Sequence, residues 1–137
     1  MHFTKFHVLA LACGLLAACG KDDNSKPSID PQAPASGTWK VSLFIDDNKN
    51  ETGEFSGYVF TFNSSGAMVA TKAGVDKAGT WSIGSSKFNI DLGAKGDANK
   101  PLGELTDDWR IISVTSSEIK LKDDNEASGE QLTFSKN

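Results

Sequence analysis

The stretch Trp39-Lys40-Val41-Ser42-Leu43-Phe44-Ile45 decides the fold class. Trp39, Val41, Leu43 and Ile45 alternate with Lys40 and Ser42, imperfectly at Phe44, and an apolar period of two marks a half-buried strand. The pattern recurs downstream. Phe55 to Asn63 reads as a second strand, with Tyr58, Phe60 and Phe62 on one face and Val59 and Thr61 on the other. Ser64-Ser65-Gly66 is a turn, because glycine supplies positive φ. Met68 to Lys72 is a third strand and Gly74 to Gly79 the next turn. Gly79-Thr80-Trp81-Ser82-Ile83 opens a fourth strand as Gly37-Thr38-Trp39-Lys40-Val41 opens the first. Phe88, Ile90 and Leu92 alternate in a fifth. Gly93 to Leu105 is a longer connection. Trp109–Thr115, Ile119–Lys122 and Leu132–Phe134 mark the last three strands.

No sustained 3.6-residue apolar period occurs after residue 18. Short strands without crossover helices must pair as antiparallel hairpins in chain order. Closure removes the exposed edges that an open meander or sandwich would leave. The expected fold is therefore all-β: an eight-stranded antiparallel up-and-down β-barrel over 37–137, with no C-terminal helix. Its interior set is Trp39, Val41, Leu43, Tyr58, Phe60, Phe62, Trp81, Phe88, Ile90, Ile119, Leu121, Leu132 and Phe134. In the sixth strand Trp109 and Ile111 compete with Ile112 and Val114 for the inner face.

The N-terminus carries an address. Lys5 supplies a positive region, and Val8 to Ala18 is an apolar run shorter than the roughly 20 residues a membrane-spanning helix needs. Leu16-Ala17-Ala18-Cys19 then reads as a lipoprotein cleavage site, with residues 1–18 the signal peptide and Cys19 the lipidated first residue of the mature chain. Cys13 lacks the leading Leu. Several acyl chains, palmitate among them, would hold the protein at a membrane, each buried CH₂ contributing about 0.8 kcal/mol. Residues 19–36 read as a tether, with Pro27, Pro31 and Pro34 and little apolar content.

Composition excludes more than it selects. The formal net charge is −4 and Arg110 is the sole arginine, so no basic stripe exists to bind nucleic acid. His2 and His7 both precede the cleavage site, which leaves no imidazole for hydrolytic catalysis or for a zinc site. Cys13 departs with the signal and Cys19 is modified, so the hydrophobic core must hold the domain without a disulfide. Asp46, Asn48 and Asn50 partly match a calcium loop, but Glu51 and Gly57 stand where that loop needs Gly and Glu. Asp107 and Asp108 are adjacent on a strand, and neighbours there point to opposite faces rather than flanking one bond. The expectation is a non-enzyme with no metal and no cofactor.

Gly37-Thr38-Trp39 at the head of the first strand, the eight-strand meander, Gly79-Thr80-Trp81 and Asp108-Trp109-Arg110 together resemble the lipocalin-like (calycin) proteins. The narrower likeness is to small lipocalin-like lipoproteins of the Bacteroidota. Cys19-Gly20-Lys21-Asp22-Asp23 also resembles the export signal of that group's surface lipoproteins, a Lys followed by acids. The resemblance implies an outer-membrane lipoprotein, on the cell surface or the periplasmic face. It further implies a monomer that takes a small hydrophobic ligand through Trp39, Tyr58, Phe60, Phe62, Trp81, Phe88 and Trp109. The same rings could instead fill the core, at roughly 25 cal/mol per Å² buried. An interaction or inhibitor protein acting through the loops Asp46 to Gly53 and Gly93 to Leu105, around a solid core, is the alternative.

Overall fold

The computed structural model describes residues 27–137, and the expected signal, Cys19 and the export residues Leu16, Ala17, Ala18, Lys21, Asp22 and Asp23 lie outside that range. The strands are β1 (Trp39–Asp46), β2 (Lys49–Asn50), β3 (Val59–Phe62), β4 (Ala67–Lys72), β5 (Val75–Ile83), β6 (Lys87–Asp91), β7 (Asp107–Val114), β8 (Glu118–Lys122) and β9 (Gln131–Lys136). β2 only folds back on the end of β1. The other eight pair antiparallel with their neighbours in chain order, and β1 pairs with β9 to close an eight-stranded barrel. No α-helix occurs among the described residues.

Two β-bulges correct the facing expected from alternation. In β1, Val41 pairs with Phe134 and Leu43 with Thr133, so Ser42 is an extra residue. One extra residue flips everything after it to the other face. Phe44 therefore enters the core fully buried, and Leu43, expected inside, is only half-buried. In β7 the same device falls between Ile111 and Ser113. Trp109 and Ile111 point inward before it and Val114 after it, while Ile112 is left 40% exposed. Both competing sets are thus partly right.

The segment Gly74 to Gly79, expected as a turn, is mostly strand. Ala73 and Gly74 both have positive φ (50° and 76°) and alone connect Lys72 to its partner Val75, the geometry of a two-residue hairpin. The strand expected from Phe55 begins at Val59. Residues Thr52–Phe55 form a 3-10 turn that tucks Phe55, 3% exposed, against Phe44 at 5.1 Å between ring centroids. Gly79 is required for close packing, because a Cβ there would sit 2.3 Å from the Asp91 carbonyl oxygen.

Both ends of the barrel are covered from within this segment. At one end residues 28–36 lie across the opening as a strap. Ile29 bridges Val114 in parallel, Asp30 N–H donates to the Val114 carbonyl at 2.9 Å, and Val114 N–H donates to Ser28 at 2.8 Å. Ala33 and Pro34 are buried. The described part of the expected tether is thus packed on the barrel. The opposite, loop end is covered by Phe55 and by Leu102 and Leu105 of a second 3-10 turn. These ends lie at Val114 and Asp107 of one eight-residue strand, roughly 23 Å apart at about 3.3 Å per residue. Residues 27–137 therefore carry a complete core of their own.

Candidate functional site

The aromatic residues singled out in the sequence meet inside the barrel, apart from Tyr58, which is half-buried. Phe62 sits at their centre. Its ring centroid lies 5.4 Å from Trp81, 5.6 Å from Phe88 and 5.4 Å from Phe134, in edge-to-face contacts with all three. Phe60 meets Phe134 at 5.2 Å, and Trp81 stacks on Phe88 at 5.5 Å. Such offset geometries add about 0.5–1.5 kcal/mol per pair beyond burial. Trp39, Phe60, Phe62, Phe88 and Trp109 are each at most 1% exposed, and Trp81 is 9% exposed. The rings fill the space between the walls by touching one another.

The three tryptophans share a second role. Each indole N–H donates to a carbonyl in a connecting segment: Trp39 to Pro34 at 2.9 Å, Trp81 to Asn63 at 2.7 Å and Trp109 to Leu105 at 2.9 Å. A buried indole needs an acceptor, and here that need pins the strap, the β3–β4 turn and the long β6–β7 connection. Arg110 points outward to Glu126 at 3.6 Å. Lys136 covers a tryptophan, with its Nζ 4.3 Å from the Trp39 ring.

The loop end gathers carboxylates that lie far apart in sequence. Asp46, Glu51 and Glu104 bring carboxylate oxygens within 4.8 Å of one another, as do Asp107, Asp123 and Glu130. The loops Asp46 to Gly53 and Gly93 to Leu105 therefore converge. Asn50 is exposed, and its Oδ1 is engaged within the loop, accepting from Thr52 N–H at 3.1 Å and from the Thr52 hydroxyl at 2.7 Å. Asp107 pairs with Lys95 at 2.9 Å, whereas Asp108 turns to the outer face near Lys87 at 3.8 Å. Lys100 pairs with Glu104 at 3.4 Å.

Burial, and then the nearby Asp46, Asp123 and Asp107 charges against the pull of Lys95, push Glu130 up to about 7. Burial followed by a hydrogen bond with Asp46 raises Glu104. Burial also works to raise Asp107, but the Lys95 ammonium and the Asp108 N–H outweigh it and hold that carboxyl below its ordinary value. Glu130 thus holds its proton more tightly folded than unfolded. Its contribution is full below about pH 4.5 and is lost as pH rises through about 7. Glu130→Gln is expected to stabilise the protein by about 1–2 kcal/mol at pH 8, after discounting for solvent screening, and to do little at pH 4. Urea unfolding at both pH values checks this; equal effects at the two would contradict it.

The barrel, with its filled interior, belongs to a class of closed antiparallel β-barrels compatible with a lipocalin-like architecture. Among solved structures it is similar to a DUF4847 family protein from Bacteroides vulgatus ATCC 8482. The two align with a TM-score of 0.57 and 16% identity over 77% of this chain and 96% of that one. No family model matches the chain, and no curated protein does either.

Proposed function

We propose that the protein is a non-catalytic binding module, lipid-anchored through Cys19 in the outer membrane of a Bacteroidota-type envelope, that works from the outside of a filled barrel. The observation that carries the reading is the convergence of the 46–53 and 93–105 loops at the end opposite the strap. A chain anchored upstream of the strap presents that end away from the membrane. Its carboxylates outnumber the lysines set against them, and repulsion from neighbouring acids adds to the burial that raises Glu130 and Glu104. A cationic protein surface relieves that repulsion, so a Lys- or Arg-rich partner fits this end best. The packed rings at the barrel centre favour this reading over an interior ligand.

The test is capture of envelope and medium proteins on immobilised 27–137, compared with a Glu51→Lys, Glu104→Lys, Asp123→Lys variant of equal thermal stability. Retention of a basic partner that weakens with salt and is lost in the variant supports the reading. Equal retention by both proteins removes it. Native mass spectra of the same segment showing a small-molecule adduct, lost in Phe60→Leu, would restore the interior ligand. Labelled palmitate incorporation that disappears in Cys19→Ala tests the anchor separately.

A further inference from the structure

The barrel wall is thin at one seam. β3 pairs with β4 through four residues and β4 with β5 through six, but β1 meets β3 only at Trp39 and Phe60. Beyond that pair the strands diverge, and the Thr52–Phe55 turn lies between them. The seam opens outward as a cleft of about 560 Å³, within the range of small-molecule sites. Its apolar surface comes from Val59, 37% exposed, and the half-buried Tyr58 ring, with only the edges of the buried Val41 and Phe55 reaching it. Its polar groups include Lys40, Ser56 and Tyr58, and no acidic side chain lines it. None of these three side chains has a hydrogen-bond or ion-pair partner among the described residues. Lys72 adds a second cation beside the cleft, its Nζ 5.0 Å from the Tyr58 ring centroid. A cleft without acidic side chains but with an unpaired ammonium and free hydroxyls, on a protein of net negative charge, favours an anion. Its apolar walls select for a hydrocarbon body.

We propose that the β1–β3 cleft binds a small single-chain amphiphile with a carboxylate head, the head paired with Lys40 and the chain laid on Val59 and the Tyr58 ring. The site is separate from the loop end and from the barrel interior.

Gly53 supplies a clean test. It lines the cleft, its φ is ordinary, and a Cβ added there meets nothing within 4 Å. Gly53→Leu should therefore occupy the cleft without disturbing the fold, which the amide spectrum verifies. Residues 27–137 would be titrated with decanoate, decan-1-ol and decyltrimethylammonium below their micelle thresholds, following amide shifts. Decanoate is expected to give saturable shifts centred on Val41, Gly57 and Val59. Decanol, and decanoate on Lys40→Gln, are expected to bind about tenfold more weakly, as is decanoate on Gly53→Leu. Equal binding of the three probes, shifts centred on Phe62 and Phe88, no saturable decanoate binding, or undiminished binding to folded Gly53→Leu would each overturn the proposal. A peptide that shifts the same amides while decanoate does not would overturn it too, and would reassign the cleft to an extended segment of a partner.

Discussion

Phe62→Ala is expected to destabilise the protein by about 4 kcal/mol, the middle of the range for truncating a buried aromatic ring. Phe62 is 1% exposed and makes edge-to-face contacts with Trp81, Phe88 and Phe134. Those rings are held from opposite sides of the barrel by β5, β6 and β9 and cannot close on the vacancy without shifting a wall. The lost transfer free energy is therefore joined by a cavity cost. The variant also makes a gain-of-function test. An apolar cavity of this kind stays dry and takes benzene-sized guests, so benzene should raise the melting temperature of Phe62→Ala and leave the wild type unchanged. If Phe62 instead lined an existing ligand pocket, truncation would cost about 1 kcal/mol or less, and benzene would bind both proteins. Urea unfolding with and without benzene separates the two.

The barrel is legible in the sequence because a closed sheet with a packed inside has a single inner face, and alternation reports it directly. Alternation fails wherever an extra residue enters one strand. Nothing about Ser42 announces a bulge, and with Leu43 and Phe44 both apolar the pattern reads acceptably in either register. Only pairing with β9 decides that Phe44 goes in. The competition in β7 between Ile111 and Ile112 is the one sequence sign of such a bulge. The β4–β5 turn is hidden for another reason. Val75 to Ala78 are exposed on both faces, so the start of β5 carries no apolar alternation. The loop-end carboxylates were legible only as loops. Asp46 and Glu104, or Asp107 and Glu130, come together through barrel closure, and no local spacing encodes that. The β1–β3 cleft depends on a missing pairing, which a single strand's pattern cannot express.

Deletion of residues 1–36 is expected to destabilise the barrel by about 3 kcal/mol relative to 27–137, although 28–36 has the composition of a solvated linker. Ordering that strap costs roughly 1–2 kcal/mol per residue in backbone entropy, so its gross contacts must exceed this substantially. They include burial of Ala33 and Pro34, the two-way backbone pairing with Val114 and the Trp39–Pro34 hydrogen bond. Two prolines, Pro31 and Pro34, reduce the entropy to be lost, because their φ is fixed before folding. Without the strap the Trp39 indole, now fully buried, faces water, and Val114 loses the partners of both its backbone groups. Trp39→Phe in the longer segment isolates one contact: it keeps a ring but removes the donor to Pro34. That change should cost about 1–2 kcal/mol, and it should speed amide exchange at Asp30 and Ala33 more than at Phe88 or Ile90 in the opposite wall. A domain beginning at Gly37 that melts with 27–137, and strap amides that exchange at free-chain rates in the wild type, would return 28–36 to the role of tether. The expected losses would instead mean that 28–36 is part of the barrel's end cover, so a cut at Ser36 opens the core.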